Sequence, residues 1–424
     1  MSKSNRAGIP AASALVVANM IGTGVFVSLG YQLLDFHSAP PILFLWLLGG
    51  LVALCGALCY AELARHLPKS GGEYHFLGAI YHPSLGFMAG LLSAIAGFAA
   101  PTAITALAMG AYLNKALPWI DATAAAAVVI VIGAAAHGLS ASTSGRVQVV
   151  ATTLKLLLIT VFLVATCVIP GKGDIRWSFD AAEDLPQVLS PMFAGAAFYV
   201  FYAYSGWNAA VYGLEEWNRP ERTVKRALVG GTLLVTALYV GLNMAFLKAA
   251  PVEALKGKEE VGHVAAQAMF GDQAGQVISG LFATGLFASV SALLWAGPRV
   301  LGAMARDLPA LRFFYSPGEV PLKALAFQAI LALVLVGSSK IDSLMTYTQT
   351  GLTLCTFLTV AGLFKIGRGG RIPRITYLPA LLFVAVTGFV IVRMFMHGWG
   401  PATIGLLTAA VCAGLWFPLQ RFSR

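Results

Sequence analysis

Two glycine-containing stretches and one lysine carry most of the chemistry this sequence could perform. Gly22-Thr23-Gly24 interrupts a long apolar run in ANMIGTGVFVS, residues 18–28. Each glycine in a helix interior costs roughly 0.5–1 kcal/mol relative to alanine, so the pair needs a reason. Two readings fit. Small residues let membrane helices approach closely. Alternatively, the helix breaks at residues 21–24, across Ile21, Gly22, Thr23 and Gly24. Its second half then begins with free N–H groups and the positive end of a dipole, which suits a carboxylate. There the glycines admit a ligand to the backbone and Thr23 adds a hydroxyl donor. A dinucleotide fingerprint is excluded, because no strand precedes the motif and position 27 is Val.

The second stretch is FYAYSG, Phe201, Tyr202, Ala203, Tyr204, Ser205 and Gly206, also inside an apolar run. If that helix runs the other way through the membrane, its first half ends here with free carbonyls. Those and the negative dipole end suit an ammonium group. Together the two breaks would form a receptor for a zwitterion without burying a charged side chain. Phe198, Tyr199, Phe201, Tyr202, Tyr204 and Trp207 cluster at this break. They read either as ordinary packing with hydroxyl partners or, at Tyr202 or Phe201, as a gate over the ligand.

Lys155 lies nine positions past Arg146 in the run 147–171. At ~1.5 Å per residue it sits ~13 Å into a hydrocarbon core ~30 Å thick, beyond easy snorkelling. A cation there costs at least ~2.5–3.5 kcal/mol on insertion scales, and desolvation favours loss of its proton. Three roles fit: a structural lysine bonded to carbonyls, a proton carrier, or a fixed cation filling a sodium position. The last two make sodium unnecessary.

The elements that must position these groups are membrane helices. The 424 residues are 58% hydrophobic and 11% charged, with mean hydropathy +0.78, against about 25% charged in soluble domains. Charge-free runs cover 7–34, 36–61, 74–114, 122–145, 185–214, 227–247, 273–298, 343–364, 375–392 and 394–420. With 324–339 and the run holding Lys155 they make twelve candidates, most near the ~20 residues a spanning helix needs. No alternating barrel pattern appears. The expected fold is all-α and integral to a lipid bilayer, with twelve transmembrane helices.

The net charge of +10 is distributed for a membrane and not for nucleic acid. With the N-terminus inside, inner segments hold nineteen Lys and Arg, among them Lys3, Arg6, Arg65, Lys69, Arg146, Arg299, Arg306, Arg368, Arg371 and Arg424; outer segments hold eight. That is the positive-inside pattern, and it puts both termini in the cytoplasm and the protein in the cell membrane. No cleavable signal peptide is expected.

The broken spans are the first and sixth. An odd separation of five means they cross in opposite directions, the mark of an inverted repeat with a ligand site where the halves meet. One membrane transport domain then covers residues 1–424: repeat one about 8–171, repeat two about 185–367, and helices 11 and 12 about 375–420. The outer loop 250–272 is expected to hold short helices, and the inner loop 306–322 to be irregular.

Other candidates are weaker. Cys55, Cys59, Cys167, Cys355 and Cys412 read as buried small side chains. His66, His75 and His82 lack metal-site spacing, and no His-Glu-x-x-His cluster suggests a membrane enzyme. No cofactor or metal is called for. Glu215-Glu216 with RPERTVKRA (219–227) fits a salt-bridged gate or a solvated face. Ala100, Thr102 and Ala103 are candidates for the side-chain pocket.

IGTGVF (21–26), YAELARHLPKSGGEYHFL (60–77), YAYSGWN (202–208), EEWNRPERTVKRA (215–227) and RVLGAMARDLP (299–309) carry a family resemblance. The chain resembles the amino acid–polyamine–organocation (APC) transporters, in particular their LAT-like and bacterial branch. The resemblance implies a LeuT-like 5+5 inverted repeat with broken helices 1 and 6, two added spans, and alternating access. It implies a substrate carboxylate at Thr23 and Gly24 and an amine at carbonyls of Met20, Tyr202 and Ser205. Many members carry phenylalanine where this chain has Tyr202. Lys155 matches the family lysine that replaces sodium, with partners near Ala18 and Ile21 and at Ser289 or Ser291. The expected function is sodium-independent transport of neutral L-amino acids. Exchange and symport with protons both fit, and a substrate-sensing membrane protein on a transporter fold is the further alternative.

Overall fold

The computed structural model describes residues 8–139, 141–316, 321–367, 372–396 and 400–421. Lys3, Arg6, Arg368, Arg371 and Arg424, which enter the inner charge count, lie outside the described residues, as do the side chains of Arg146 and Glu216.

The described chain is helical throughout, apart from turns, short irregular segments and one isolated bridge between Ser38 and Arg176. The first apolar run forms α1 (Ile9–Met20) and α2 (Gly24–Gln32), then α3 (Ala39–His66). The run at 74–114 does not form one element. It divides at His82-Pro83 into α4 (Glu73–Ile80) and α5 (Pro83–Leu92), which passes through a π-helical stretch, Ser93–Ala99, into α6 (Ala100–Ala116). Pro83 opens α5 with His82 accepting from the Ser84 amide at its start, a position where proline costs no hydrogen bond.

Next come α7 (Ala122–Leu139), α8 (Ala141–Val168), α9 (Ala181–Val188), α10 (Pro191–Tyr204) and α11 (Pro220–Ala249). The outer loop carries α12 (Val252–Leu255) and α13 (Val261–Phe270), as expected of 250–272. The chain ends with α14 (Asp272–Asp307), α15 (Leu322–Ser338), α16 (Ile341–Ile366), α17 (Tyr377–Met396) and α18 (Gly400–Arg421).

Among the described residues eight helices are long and apolar enough to cross a membrane, and three shorter apolar ones cover Ala122–Gly138, Thr153–Val168 and Leu322–Ser338. Their outward faces carry exposed Leu, Val, Ile and Phe, as lipid contact demands. Inside, α1 packs on α11, α11 on α3, and α14 on α6 and α8. Four cysteines are buried; Cys167 is exposed, so its place in an apolar run reflects an outward helix face and not a packed core.

Candidate functional site: two helix breaks around one cavity

Both glycine-containing stretches fall where helices stop. α1 stops at Met20, where Ile21 leaves helical geometry (ψ 86°) and the Gly22 amide turns back to Met20 O at 2.8 Å. α2 restarts at Gly24, its first internal bond running from Phe26 N to Thr23 O at 2.9 Å. The amides of Thr23, Gly24 and Val25 precede that bond and have no backbone acceptor among the described residues.

α10 ends at Tyr204. Ser205 is extended and Gly206 sits at φ +95°, a left-handed geometry that favours glycine. No second α-helical half follows: residues 209–211 and 214–216 form only single 3₁₀ turns before α11. The two breaks touch. A Cβ on Gly206 would lie 2.9 Å from the Asn19 carbonyl, and one on Gly24 would lie 2.5 Å from the Ala203 Cβ.

A cavity of about 870 Å³ opens between them. Met20, Gly22, Thr23, Gly24, Phe201, Tyr202, Ala203 and Ser205 line it; Ile21 and Tyr204 do not. Tyr204 turns toward α3, donating to Trp46 O at 3.0 Å. The gate candidate Tyr202 has its hydroxyl 3.5 Å from Thr23 Oγ1, across the two breaks.

The carbonyls expected to take an amine are partly occupied. Met20 O accepts from Gly22 N and from Tyr239 OH at 2.5 Å. Tyr202 O accepts from the Ser205 amide at 3.0 Å and the Ser205 hydroxyl at 2.7 Å. A carbonyl has two lone pairs, so Ser205 O is the acceptor of the three left without a donor among the described residues. Tyr239, which also contacts Ala203 O at 2.9 Å, thus ties both breaks to α11. Nothing in the sequence singled it out from other tyrosines in apolar runs.

Lys155 is 4% exposed. Its Nζ donates to Ile21 O at 2.6 Å and to Ser289 Oγ at 2.7 Å, fastening the first break to α14. Ala18 and Ser289 line the cavity. Ser291 is not a partner of the lysine: two residues along a helix turn about 200°, and its hydroxyl lies 2.9 Å from His137 Nε2. Ala100, Thr102 and Ala103 are also displaced from the wall, which α6 supplies with Pro101 and Thr105. The extra residue per turn in the π-helical stretch just before rotates the face, and Thr102 instead donates to Phe98 O and accepts from Gln328.

At one end the cavity reaches Lys69, Glu215, Arg299, Arg306 and Asp307. Glu215 forms no ion pair among the described residues; its amide is held by Ser70 Oγ at 3.1 Å. A second unforeseen group is Glu73, 3% exposed, accepting from Tyr60 OH (2.8 Å), Asn208 Nδ2 (2.5 Å) and Tyr212 OH (2.8 Å). It pins the irregular segment after α10 to α3 and α4. A second polar and aromatic cluster lies outside the cavity lining. Tyr31 and Tyr199 stack at 5.3 Å, Tyr31 donates to Glu259 at 2.9 Å, and Lys115 pairs with Glu260 at 2.9 Å. Burial raises the Glu259 carboxyl, with the Tyr31 hydroxyl acting against it. Among the described residues no cluster of His, Cys, Asp and Glu could hold a metal.

A multi-helix membrane protein in which one helix breaks and another ends beside the same cavity has the plan of a solute carrier. The amino acid permease model matches residues 8–417, and the chain belongs to that family. It is 31% identical over 354 residues to the serine/threonine exchanger SteT of Bacillus subtilis (strain 168), covering 80% of this chain and 77% of that one. It is 27% identical over 370 residues to the b(0,+)-type amino acid transporter 1 of Mus musculus, covering 84% and 74%. The large neutral amino acids transporter small subunit 2 of Homo sapiens is 29% identical over 370 residues, covering 84% and 68%.

Proposed function

We propose that this protein is a sodium-independent exchanger of neutral L-amino acids working by alternating access. The observation that carries the reading is Lys155, whose ammonium bonds Ile21 O at the first break and Ser289 on α14. A fixed cation there occupies the place a bound sodium would need, and repulsion disfavours a second cation. The substrate carboxylate meets the amides at Thr23 and Gly24, and its amine meets the Ser205 carbonyl, with Met20 and Tyr202 carbonyls joining when their present donors yield.

The eight long helices, the three shorter ones and α10 together supply twelve spans, with repeats at about 8–171 and 185–367. In that arrangement the cavity mouth at Lys69, Arg299 and Arg306 faces the cytoplasm by the positive-inside pattern. The described state is then open inward and sealed outward by Tyr31, Tyr199 and the α12–α13 loop. Exchange is favoured over proton symport by the likeness to a named exchanger. Counterflow in proteoliposomes tests the reading: uptake into an empty lumen driven by a pH gradient would replace exchange with proton coupling.

A further inference from the structure

Several buried amide and hydroxyl atoms lack a hydrogen-bond partner among the described residues, and of the residues that carry them Gln349 is the one that lines the cavity. Gln349 is 6% exposed. Its Nε2 donates to Thr353 Oγ1 at 2.8 Å, one turn further along α16. That bond orients the amide and leaves Oε1 unmatched.

Gln349, Leu352 and Thr356 all line the cavity, at the i, i+3, i+7 spacing of one helix face, so the α16 face bearing Gln349 is the one turned to the ligand. Ser93 and Thr105 bring further hydroxyls to the wall from the π-helical stretch and α6, but neither is an amide acceptor held in place by its own helix as Gln349 is. Thr356 donates back to Leu352 O at 3.0 Å, and Ser289 takes the Lys155 ammonium. Leu293, Ala292 and Phe98 make much of the remaining wall apolar. A buried acceptor without a donor is costly, and native proteins keep one where something completes it.

We propose that Gln349 is a specificity-determining residue: its Oε1 accepts a hydrogen bond from the substrate side chain, so the preferred substrates carry an uncharged donor there. This rests on the amino-acid reading above. A purely aliphatic side chain leaves the carbonyl unmatched. A cationic one brings a full charge against the leucines and alanines of this wall.

Threonine and valine test it, because they have the same shape and differ by one hydroxyl. Both are titrated against the purified full-length protein, reading ligand-induced thermal stabilisation, and both compete in counterflow. Threonine should bind about ten-fold or more tightly than valine. Gln349→Met removes both polar atoms at similar length and should bring the two within about two-fold, by weakening threonine and sparing valine. A wild-type ratio near or below one overturns the assignment, as does a ratio that survives in Gln349→Met. Gln349→Leu is the second variant should the first not fold, and the wild-type ratio refutes by itself in either case. If no neutral amino acid stabilises the protein or exchanges, the transport reading falls and this one with it. Transport with no threonine preference removes this one alone.

Discussion

Gly22→Ala and Gly24→Ala separate ligand recognition from helix packing, two roles that the sequence leaves entangled. A Cβ on Gly22 meets nothing within 4 Å, and the residue is not in a left-handed conformation. Alanine therefore fits, but its methyl stands in the cavity beside the free amides of the first break. A Cβ on Gly24 lies 2.5 Å from the Ala203 Cβ and closer still to the Ala203 backbone, where ordinary contact is 3.4–4 Å. α2 must then retreat from α10 by about 1 Å, an overpacking that costs about 1–3 kcal/mol. Gly24→Ala should lower the melting temperature and lose binding together. Gly22→Ala should melt like the parent yet bind poorly. Losing one hydrogen bond to a charged group costs about 1.5–3 kcal/mol, roughly a 10- to 150-fold weaker Kd at 1.4 kcal/mol per decade. Melting curves of both variants with and without amino acid give the answer. Parental affinity in Gly22→Ala would refute the carboxylate site at this break. Parental stability in Gly24→Ala would refute the close approach of α2 to α10. Adding Ala203→Gly to Gly24→Ala should restore only part of the loss, because the clash with the backbone at position 203 remains.

Lys155→Met should cut exchange more than ten-fold with little change in folding stability. It strands Ile21 O and Ser289 Oγ, at about 1–3 kcal/mol each, but removes the cost of burying an ammonium, at least about 2.5–3.5 kcal/mol; exchange assays and melting curves check both halves. Tyr239→Phe removes the hydroxyl shared by Met20 O and Ala203 O, and melting curves should show a loss of about 1 kcal/mol in stability. Tyr202→Phe should leave binding within about two-fold, since its hydroxyl contact to Thr23 is at the 3.5 Å limit and such a bond is weak; a large loss would mean the hydroxyl touches substrate directly.

The breaks were legible only in part: glycine in an apolar helix interior is costly and marks the place, but Gly49-Gly50 and Gly230-Gly231 lie inside the unbroken α3 and α11, so local sequence does not separate a break from close packing. Lys155 was legible from its depth: a cation there needs a partner, and the fold supplies Ile21 O and Ser289 Oγ. What stayed hidden depends on register between distant segments. The π-helical stretch at Ser93–Ala99 alters the register on entry to α6, and Pro101 and Thr105, not Ala100, Thr102 and Ala103, line the wall. Ser291 and Ser289 are indistinguishable in sequence and point at different helices in space. Glu73 carries no signal of its own in the sequence, yet it accepts from three donors, one on α3 and two on the segment beyond α10, and is buried. The missing second half of the α10 helix has the same origin: Asn208 and Tyr212 bond Glu73, favouring turns over a continued helix.

The most direct test of a fixed-cation exchanger is sodium-free counterflow. Proteoliposomes holding the purified protein and an unlabelled neutral L-amino acid are diluted into labelled amino acid with choline in place of sodium. The account predicts label accumulation at the same rate in choline as in sodium, and almost none when the lumen is empty. Accumulation that requires sodium would contradict it.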